Sequence, residues 1–386
     1  AFTIQGSDPL LTKKHEKRQM KLAAYRLLQR LYPEVSTPWG SLTGIRPTKL
    51  YRELTREGGR AAAERTFRDT FDVSEQKTWL AATICRVQEP VIASAGPMDL
   101  DVYIGIPFCR TRCLYCSFAS EVLGKGALLD EYFAALLDDI RRGGQLAKDG
   151  GYRIRALYVG GGTPTVLSAE QLKRLLEAAG SAYGTFIECT VEAGRPDTID
   201  REKLCALREM GVGRISINPQ TMNDVTLQRI GRAHTVQETV DAFRLAREIG
   251  FASINMDLIA GLPGERPADM DDTLGRVAAL APENLTVHAL AIKRSSRLKA
   301  QLDAYPLPSP EETDRMIAAG LAAAGEMGMV PYYMYRQKYM RGNLENVGYA
   351  LPGKECVYNI DMMEETTSIL AHGAGAMNKR IFGGEH

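Results

Sequence analysis

Three cysteines, Cys109, Cys113 and Cys116, lie within eight residues in the stretch IGIPFCRTRCLYCSF, Ile104 to Phe118. They cannot all pair as disulfides, and a four-coordinate structural zinc wants one more ligand. The spacing C-x3-C-x2-C suits another chemistry: three thiolates hold a four-iron cluster and leave one iron without a protein ligand. A zinc that takes His234 or another distant residue as fourth ligand is the alternative. It explains none of the other polar residues described below. The remaining cysteines, Cys85, Cys189, Cys205 and Cys356, are scattered, against a disulfide framework and in favour of a reducing cytoplasm. Cys85, Cys189 and Cys205 fall in apolar patterns and read as core. Cys356 reads as a buried structural thiol, with a ligand or radical-handling role as its alternative.

The elements that must position the three thiols alternate regularly. DVYIGIPF reads as a buried strand, followed by the helical LLDEYFAALLDDIRR. The strands IRALYVGGG, FIECTVEAG, RISINPQ, SINMDLIAGLPG and NLTVHALAI come next, separated by helical stretches. Ser168 with Gln171 marks one helix start, and Gly211 one helix end. Six strand–helix alternations imply a parallel sheet, doubly wound or curved into a barrel. In such sheets chemistry gathers at the carboxyl ends of the strands. There lie the cysteine loop after the first strand, GGGTPT (Gly160 to Thr165) after the second, Glu192 after the third, Gln220 after the fourth, and Asp257 with GLPG at the fifth. The glycines of GGGTPT let backbone approach a ligand closely.

The 386 residues predict more than one domain: a helical amino-terminal region at 1–98, the alternating region at 99–300, and a tyrosine-rich carboxyl-terminal region at 301–386. The last includes VPYYMYRQKYMRGNLENVGYALPGKE, read as strands and loops packed on one end of the sheet. A net charge of +1, from 48 basic and 47 acidic residues, gives no global field for nucleic acid or membrane. The basic stretch from Leu11 to Tyr32 reads as a solvated helix face rather than an RNA-contacting surface. No apolar run reaches membrane-spanning length and no secretory signal pattern opens the chain, so a cytoplasmic location is expected. The first residue is Ala1, read as the start of a fragment or trimmed chain.

Tyr103-x-x-Ile106-Pro107-Phe108-Cys109, followed by GGGTPT, ISINPQTMND, LQRIGRAHT and NMDLIAGLPGE in that order, resembles the radical S-adenosylmethionine (SAM) superfamily. Within it the chain is similar to the HemN-like branch of oxygen-independent coproporphyrinogen III oxidases and their relatives. TGIRPTKLY and GNLENVGYALPGKE look most like the HemZ subgroup. The resemblance implies a partial (β/α)6 barrel with a helical amino-terminal domain and a small α+β carboxyl-terminal domain. It implies a [4Fe–4S] cluster on Cys109, Cys113 and Cys116, with SAM chelating the open iron. One electron then cleaves SAM to a 5′-deoxyadenosyl radical, which removes a hydrogen from the substrate.

On this resemblance Gly161, Gly162 and Thr163 hold the methionyl end of SAM, and Tyr115 shields the cluster and touches adenine. Tyr103 and Glu192 are catalytic and contact SAM, as do Gln220, Arg232 and Asp257. Ala291 matches a position that contacts a second SAM in some members. One departure concerns Glu192: the family's following proline comes two or three residues later, whereas EAGRP places Pro196 fourth.

Coproporphyrinogen III carries four propionates, and arginine and lysine are the groups to bind them. The candidates are Lys293, Arg294, Arg297, Arg336, Lys338, Arg341 and Lys354. A flavodoxin or ferredoxin is the expected electron donor. One rival is a haem-binding chaperone like HemW, whose signature has a His-Asn pair and then Tyr-Trp; here CVYNIDMM places Tyr358 before Asn359 and has no tryptophan. His234, His288 and His372 are its possible iron ligands, though a lone histidine is more often structural. Another rival keeps the radical chemistry for methyl transfer or haem opening with two SAM molecules.

Overall fold

The computed structural model describes residues 9–35, 37–118, 120–124, 127–337 and 344–381. The chain forms two compact units, Ala1–Arg86 and Val87–His386. The division falls at 86/87 rather than at the 98/99 boundary read from composition. It lies inside helix α4 (Glu75–Ala93), because the last turns of that helix, Val87, Val91 and Ile92, pack into the core of the second unit.

The first unit is helical. It contains α1 (Pro9–Leu31), α2 (Pro47–Gly58) and α3 (Arg60–Arg65). Pro47 starts α2, where a missing N–H leaves no bond unmade. Trp39, Tyr51, Phe67 and Phe71 are its buried core, with Tyr51 and Phe67 edge-on at 5.2 Å. The basic helix α1 is largely exposed, and its exposed face also carries Leu27, Leu28 and Leu31.

The second unit is built on a nine-stranded sheet. Six parallel strands form its middle: β1 (Asp99–Ile106), β4 (Arg153–Gly161), β5 (Glu188–Gly194), β6 (Arg214–Ile217), β7 (Ser253–Ala260) and β8 (Asn284–Ala289). Between β1 and β4 a two-residue pair, β2 (Phe108–Cys109) and β3 (Glu121–Val122), closes the cysteine loop. The crossovers carry α5 (Ala127–Asp149), α6 (Ala169–Tyr183), α7 (Arg201–Glu209), α8 (Asp224–Arg229), α9 (Val236–Ile249) and α10 (Pro267–Leu280). Ser168 and Gln171 cap α6 reciprocally, as their spacing predicts, and Gly211 follows α7 at φ +81°.

Each strand has two faces of opposite character. Val102, Leu157, Val191, Ile215, Met256 and Leu285 are buried apolar side chains. The very next residues, Tyr103, Tyr158, Glu192, Ser216, Asp257 and Thr286, line one cavity. Side chains alternate along a strand, so a single register shift would exchange the two sets. The result is a partial (β/α)6 barrel with an apolar outside under helices and a polar, tyrosine-rich inside.

The carboxyl-terminal segment follows α11 (Arg297–Ala300) and α12 (Pro310–Glu326). It supplies β9 (Val330–Tyr335), β10 (Asn346–Ala350), α13 (Val357–Glu364) and β11 (Ser368–His372). Its strands do not gather at one end, as their sequence suggested. β10 pairs antiparallel with β8 and carries β9 outside it, whereas β11 runs parallel to β1 on the far edge. An open sheet leaves unpaired N–H and C=O groups on both edges, and this segment supplies partners to both. No helix among the described residues is long and apolar enough to cross a membrane.

Candidate active site

The cysteine loop leaves β1 at Ile106 and is fixed on every side by backbone bonds. Glu121 N donates to Pro107 O at 2.7 Å and Leu123 N to Cys109 O at 2.9 Å. Leu114 N donates to Ile230 O at 2.8 Å, and Leu298 N to Leu114 O at 2.9 Å. Cys113 is buried, while Cys109 and Cys116 are half-buried. Arg195 Nη1 and Arg232 Nη1 each come to 4.0 Å from Cys113 Sγ. Both guanidiniums are held: Arg195 by the Asp197 carboxylate at 3.0 and 3.2 Å, Arg232 by Asn218 O at 2.7 Å and Tyr115 OH at 3.2 Å. Two fixed guanidiniums therefore face the Cys113 sulfur.

The donor set discriminates between zinc and a cluster. Among the described residues no three His, Cys, Asp or Glu side chains converge closely enough to share one ion. A tetrahedral zinc needs all its thiolates within about 2.3 Å of the metal. In a four-iron cluster each thiolate takes a different iron, so the sulfurs stand apart. His234, the suggested fourth zinc ligand, stands 3.9 Å from Asp197. Burial and the Arg232 charge push its pKa down to about 3, with Asp197 opposing. The three thiols fit a cluster.

The three cysteines open on a cavity of about 480 Å³ inside the barrel. Tyr103, Tyr115, Gly161, Gly162, Thr163, Glu192, Gln220, Arg232, Asp257 and Ala291 line it together with Cys109, Cys113 and Cys116, so every cluster and SAM position expected from the resemblance reaches one space. The glycines serve a purpose the sequence did not reveal. A Cβ on Gly162 would lie 2.5 Å from Phe108 O, and Gly161 has φ +112°. Their close approach is to the cysteine loop's own backbone, which seats the loop on the end of β4. Thr163 Oγ1 then reaches Cys109 Sγ at 3.6 Å.

Two carboxyl groups in the cavity are driven apart in acidity. Burial pushes Glu192 up to about 7, helped by the nearby Asp257 charge and opposed by hydrogen bonds from Tyr158 and Gly161. Tyr158 OH donates to Glu192 Oε1 at 2.6 Å. Burial pushes Asp257 the same way, yet hydrogen bonds from His288, Asn255 and Thr286, with the His288 charge, hold it below the usual carboxylate range. Groups of one kind separated in this way mark acid and base roles. Below them Tyr103, Tyr158 and Tyr358 stack, the last two at 4.5 Å.

Ser216 Oγ, Asn218 Oδ1 and Arg232 Nε are buried on this cavity with no hydrogen-bond partner in the protein. Buried polar atoms are almost always bonded, so three together mark where a polar ligand sits. Beside them Gln220 holds φ +70°, a region that costs a non-glycine residue about 1–2 kcal/mol. Its N–H donates to Asp257 O and its carbonyl accepts from Ile259 N, both at 2.9 Å, which locks the conformation.

Sequence reasoning passed over Tyr158, Ser216, Asn218 and Arg195. The alternation of polar and aromatic residues with apolar neighbours along the strands was the available signal for Tyr158 and Ser216. The expected cations separate into groups. Lys293 lines the cavity; Arg294 and Arg297 are exposed and do not. Arg336 is buried off the cavity, and Lys338 and Arg341 lie outside the described residues. Lys354 is a correction: its Nζ donates to Ala252 O at 3.0 Å, at the end of the sheet where the parallel strands begin. Of the three candidate histidines, His288 lines the cavity and His234 and His372 do not; His372 pairs with Asp139 at 3.1 Å.

Comparison with known proteins agrees with this geometry. Residues 103–277 match the radical SAM superfamily. The oxygen-independent coproporphyrinogen-III oxidase-like protein HemZ of Bacillus subtilis is 39% identical over 384 residues, 97% of this chain and 77% of that protein. The haem chaperone HemW of Escherichia coli is 30% identical over 288 residues, 73% of this chain and 71% of its own. The solved structure of coproporphyrinogen III oxidase (HemN) from Escherichia coli superposes with a TM-score of 0.62 at 28% identity, covering 80% of this chain and 68% of that one. The cofactors of the superfamily are a [4Fe–4S] cluster and SAM, the pair that the three thiols and the unpartnered polar atoms fit. By fold, site and near full-length likeness, the chain belongs to the HemN-like family of radical SAM proteins, in the HemZ subgroup.

Proposed function

We propose that this protein is a radical SAM oxidoreductase that removes two propionate carboxylates of coproporphyrinogen III as carbon dioxide, without oxygen, leaving vinyl groups. The observation that carries the reading is the meeting of three cluster cysteines with two acidity-split carboxyls in one cavity of about 480 Å³. Cys109, Cys113 and Cys116 would hold the cluster. Ser216, Asn218 and Arg232 would bind SAM through the atoms they leave unpartnered. When bound, that pair supplies a 5′-deoxyadenosyl radical that takes a hydrogen atom from the substrate.

The protein's own groups do the rest. Glu192, at about 7, holds or releases a proton near neutrality and is oriented by Tyr158. Asp257 stays anionic beside His288 and orients a donor group of the ligand. Lys293 meets a propionate. Ala291, small and on the cavity wall, leaves room for a second SAM. A flavodoxin or ferredoxin would supply the electron for SAM cleavage, and a one-electron acceptor would take up the electron that each propionate radical releases with its carbon dioxide.

A second reading, haem binding without decarboxylation, is favoured by the likeness to HemW and by His288 on the cavity, a side chain able to ligate haem iron. One anaerobic experiment separates the two. The cluster is reconstituted, reductant, SAM and coproporphyrinogen III are added, and deoxyadenosine and porphyrins are followed together by mass spectrometry. Two successive losses of carbon dioxide coupled to deoxyadenosine are expected. Intact porphyrinogen, together with tight haem binding, would move the protein to the chaperone class.

A further inference from the structure

The chain is nearly neutral, but the shell around its cysteine loop is not. The loop itself, residues 107–118, carries Arg110 and Arg112 and no carboxylate. The segment packed on it, residues 291–302, carries Lys293, Arg294, Arg297 and Lys299, again without a carboxylate. The two segments are joined directly. Arg112 Nη2 donates to Ser295 O at 3.3 Å, Ser295 Oγ to Ser117 O at 3.4 Å, and Leu298 N to Leu114 O at 2.9 Å. The loop and the segment bonded to it thus carry six cations, in a protein whose net charge is +1.

Most of this collar has no internal use. Arg110 pairs with Asp197 at 3.8 Å, and the other five make no ion pair among the described residues. Arg110, Arg294, Arg297 and Lys299 are exposed, and of the six only Arg112 and Lys293 reach the cavity. Phe118, two residues past Cys116, is 70% exposed at the end of the same loop. Glu121, just beyond the loop, is the acidic neighbour on its rim. An exposed aromatic on a loop and neighbouring segment rich in cations of one sign, five of the six without an ion pair among the described residues, has the anatomy of a protein interface. Cys109 and Cys116 are half-buried beneath it.

We infer that this collar docks an acidic one-electron donor protein against the cysteine loop. The inference rests on the reading of the three cysteines as cluster ligands. The donor gives up one electron and the cluster takes it up, with no bond or proton exchanged. Opposite charges steer the encounter: an acidic donor is drawn to the basic collar over distances that salt screens. Exposed side chains off the cavity cannot serve a substrate held inside it, which separates Arg294 and Lys299 from Lys293.

The test uses the reconstituted full chain and its Arg294→Glu, Lys299→Glu double variant. Bleaching of the cluster absorbance is followed anaerobically after mixing with a strongly acidic flavodoxin in its hydroquinone form, without SAM. At low salt the double variant should be reduced about tenfold more slowly or worse, and the unaltered chain should lose its advantage as salt rises. Reduction by photoreduced deazaflavin, a small donor that needs no docking, should be equal in both. Equal flavodoxin rates would overturn the inference, whether the collar then proves to bind a nucleic acid or the carboxylates of the substrate. So would an equal loss with deazaflavin, which would mean the two residues shape the cluster itself. Failure of any cluster to form is a distinct result and would remove the ligand reading and the docking surface together.

Discussion

Cys113 and Cys356 are both buried thiols of one sheet, and they show how differently its two ends are made. Cys113 follows the carboxyl end of β1 and faces two guanidiniums at 4.0 Å. Cys356 sits at the amino end of β5, where its Sγ lies 3.2 Å from Glu188 Oε1. Burial and the Glu188 charge push the Cys356 thiol far up, against the pull of Arg214. Glu188 also accepts from Val357 N and Tyr358 N, and Arg214 donates to Asn284, Lys354 O and Glu355 O. At the amino end side chains serve one another and tie the carboxyl-terminal segment down. At the carboxyl end a cluster of polar atoms is oriented, strained and left for a ligand. A residue's type and burial do not decide its role; the charge that faces it does.

The sharpest way to break this contrast is to remove each thiol in turn. Cys113→Ala should abolish iron binding and all SAM cleavage while the metal-free chain unfolds almost as before. Cys356→Ala should keep both activities and destabilise the fold by about 1 kcal/mol. Iron content, deoxyadenosine release and thermal unfolding measure all of these. Loss of the cluster from the Cys356 variant would end the comparison.

A smaller effect comes from pH. Burial, with the Asp361 charge, pushes Asp101 up to about 8, against hydrogen bonds from Thr367 and Ala156. The folded chain keeps a proton there that the unfolded chain releases above about pH 4, so this group erodes stability as pH rises from that value through about 8. Glu192 does the same at the other end, over a window that closes near 7. Asp101→Asn should therefore flatten the melting temperature between pH 5 and 8, and Glu192→Gln should flatten it only up to about 7. Identical profiles for the two variants would mean the ends are not distinguished electrostatically.

Least in size is the strain at Gln220. Asparagine adopts positive φ more readily than glutamine, so Gln220→Asn should raise the stability of the metal-free chain by about 0.5 kcal/mol in a denaturant titration. A loss of stability would show that the buried side chain, not the backbone, dominates at that position.

Much of this architecture was legible before the fold. Polar residues at five strand ends named the carboxyl face of a parallel sheet, and Ser168 with Gln171 fixed a helix start through bonds three residues apart. Such features are local, so the sequence displays them. Arg195 and Gly162 were hidden because their partners, Cys113 and Phe108, lie 82 and 54 residues away. Lys354 was misplaced for the related reason that a tail rich in base and tyrosine does not reveal which edge it will join. Its backbone carbonyl meets Arg214 and Asn284 at the amino end, a pairing set by the register of β10 against β8.

The pairing of β11 with β1 also orders events in time. Thr367 reaches back 266 residues to bond Asp101, at 2.6 Å. During synthesis β1 and its cysteine loop emerge first, and the outer edge of that strand waits for some 266 further residues before its neighbour arrives. Until then the ribosome presents a strand with one bare edge beside three unmetallated thiols, a template for wrong pairing and a target for oxidation. The strand that shields the thiol-bearing edge is thus made long after the thiols themselves, and the interval before its arrival is when the nascent protein most needs a reducing, chaperoned environment.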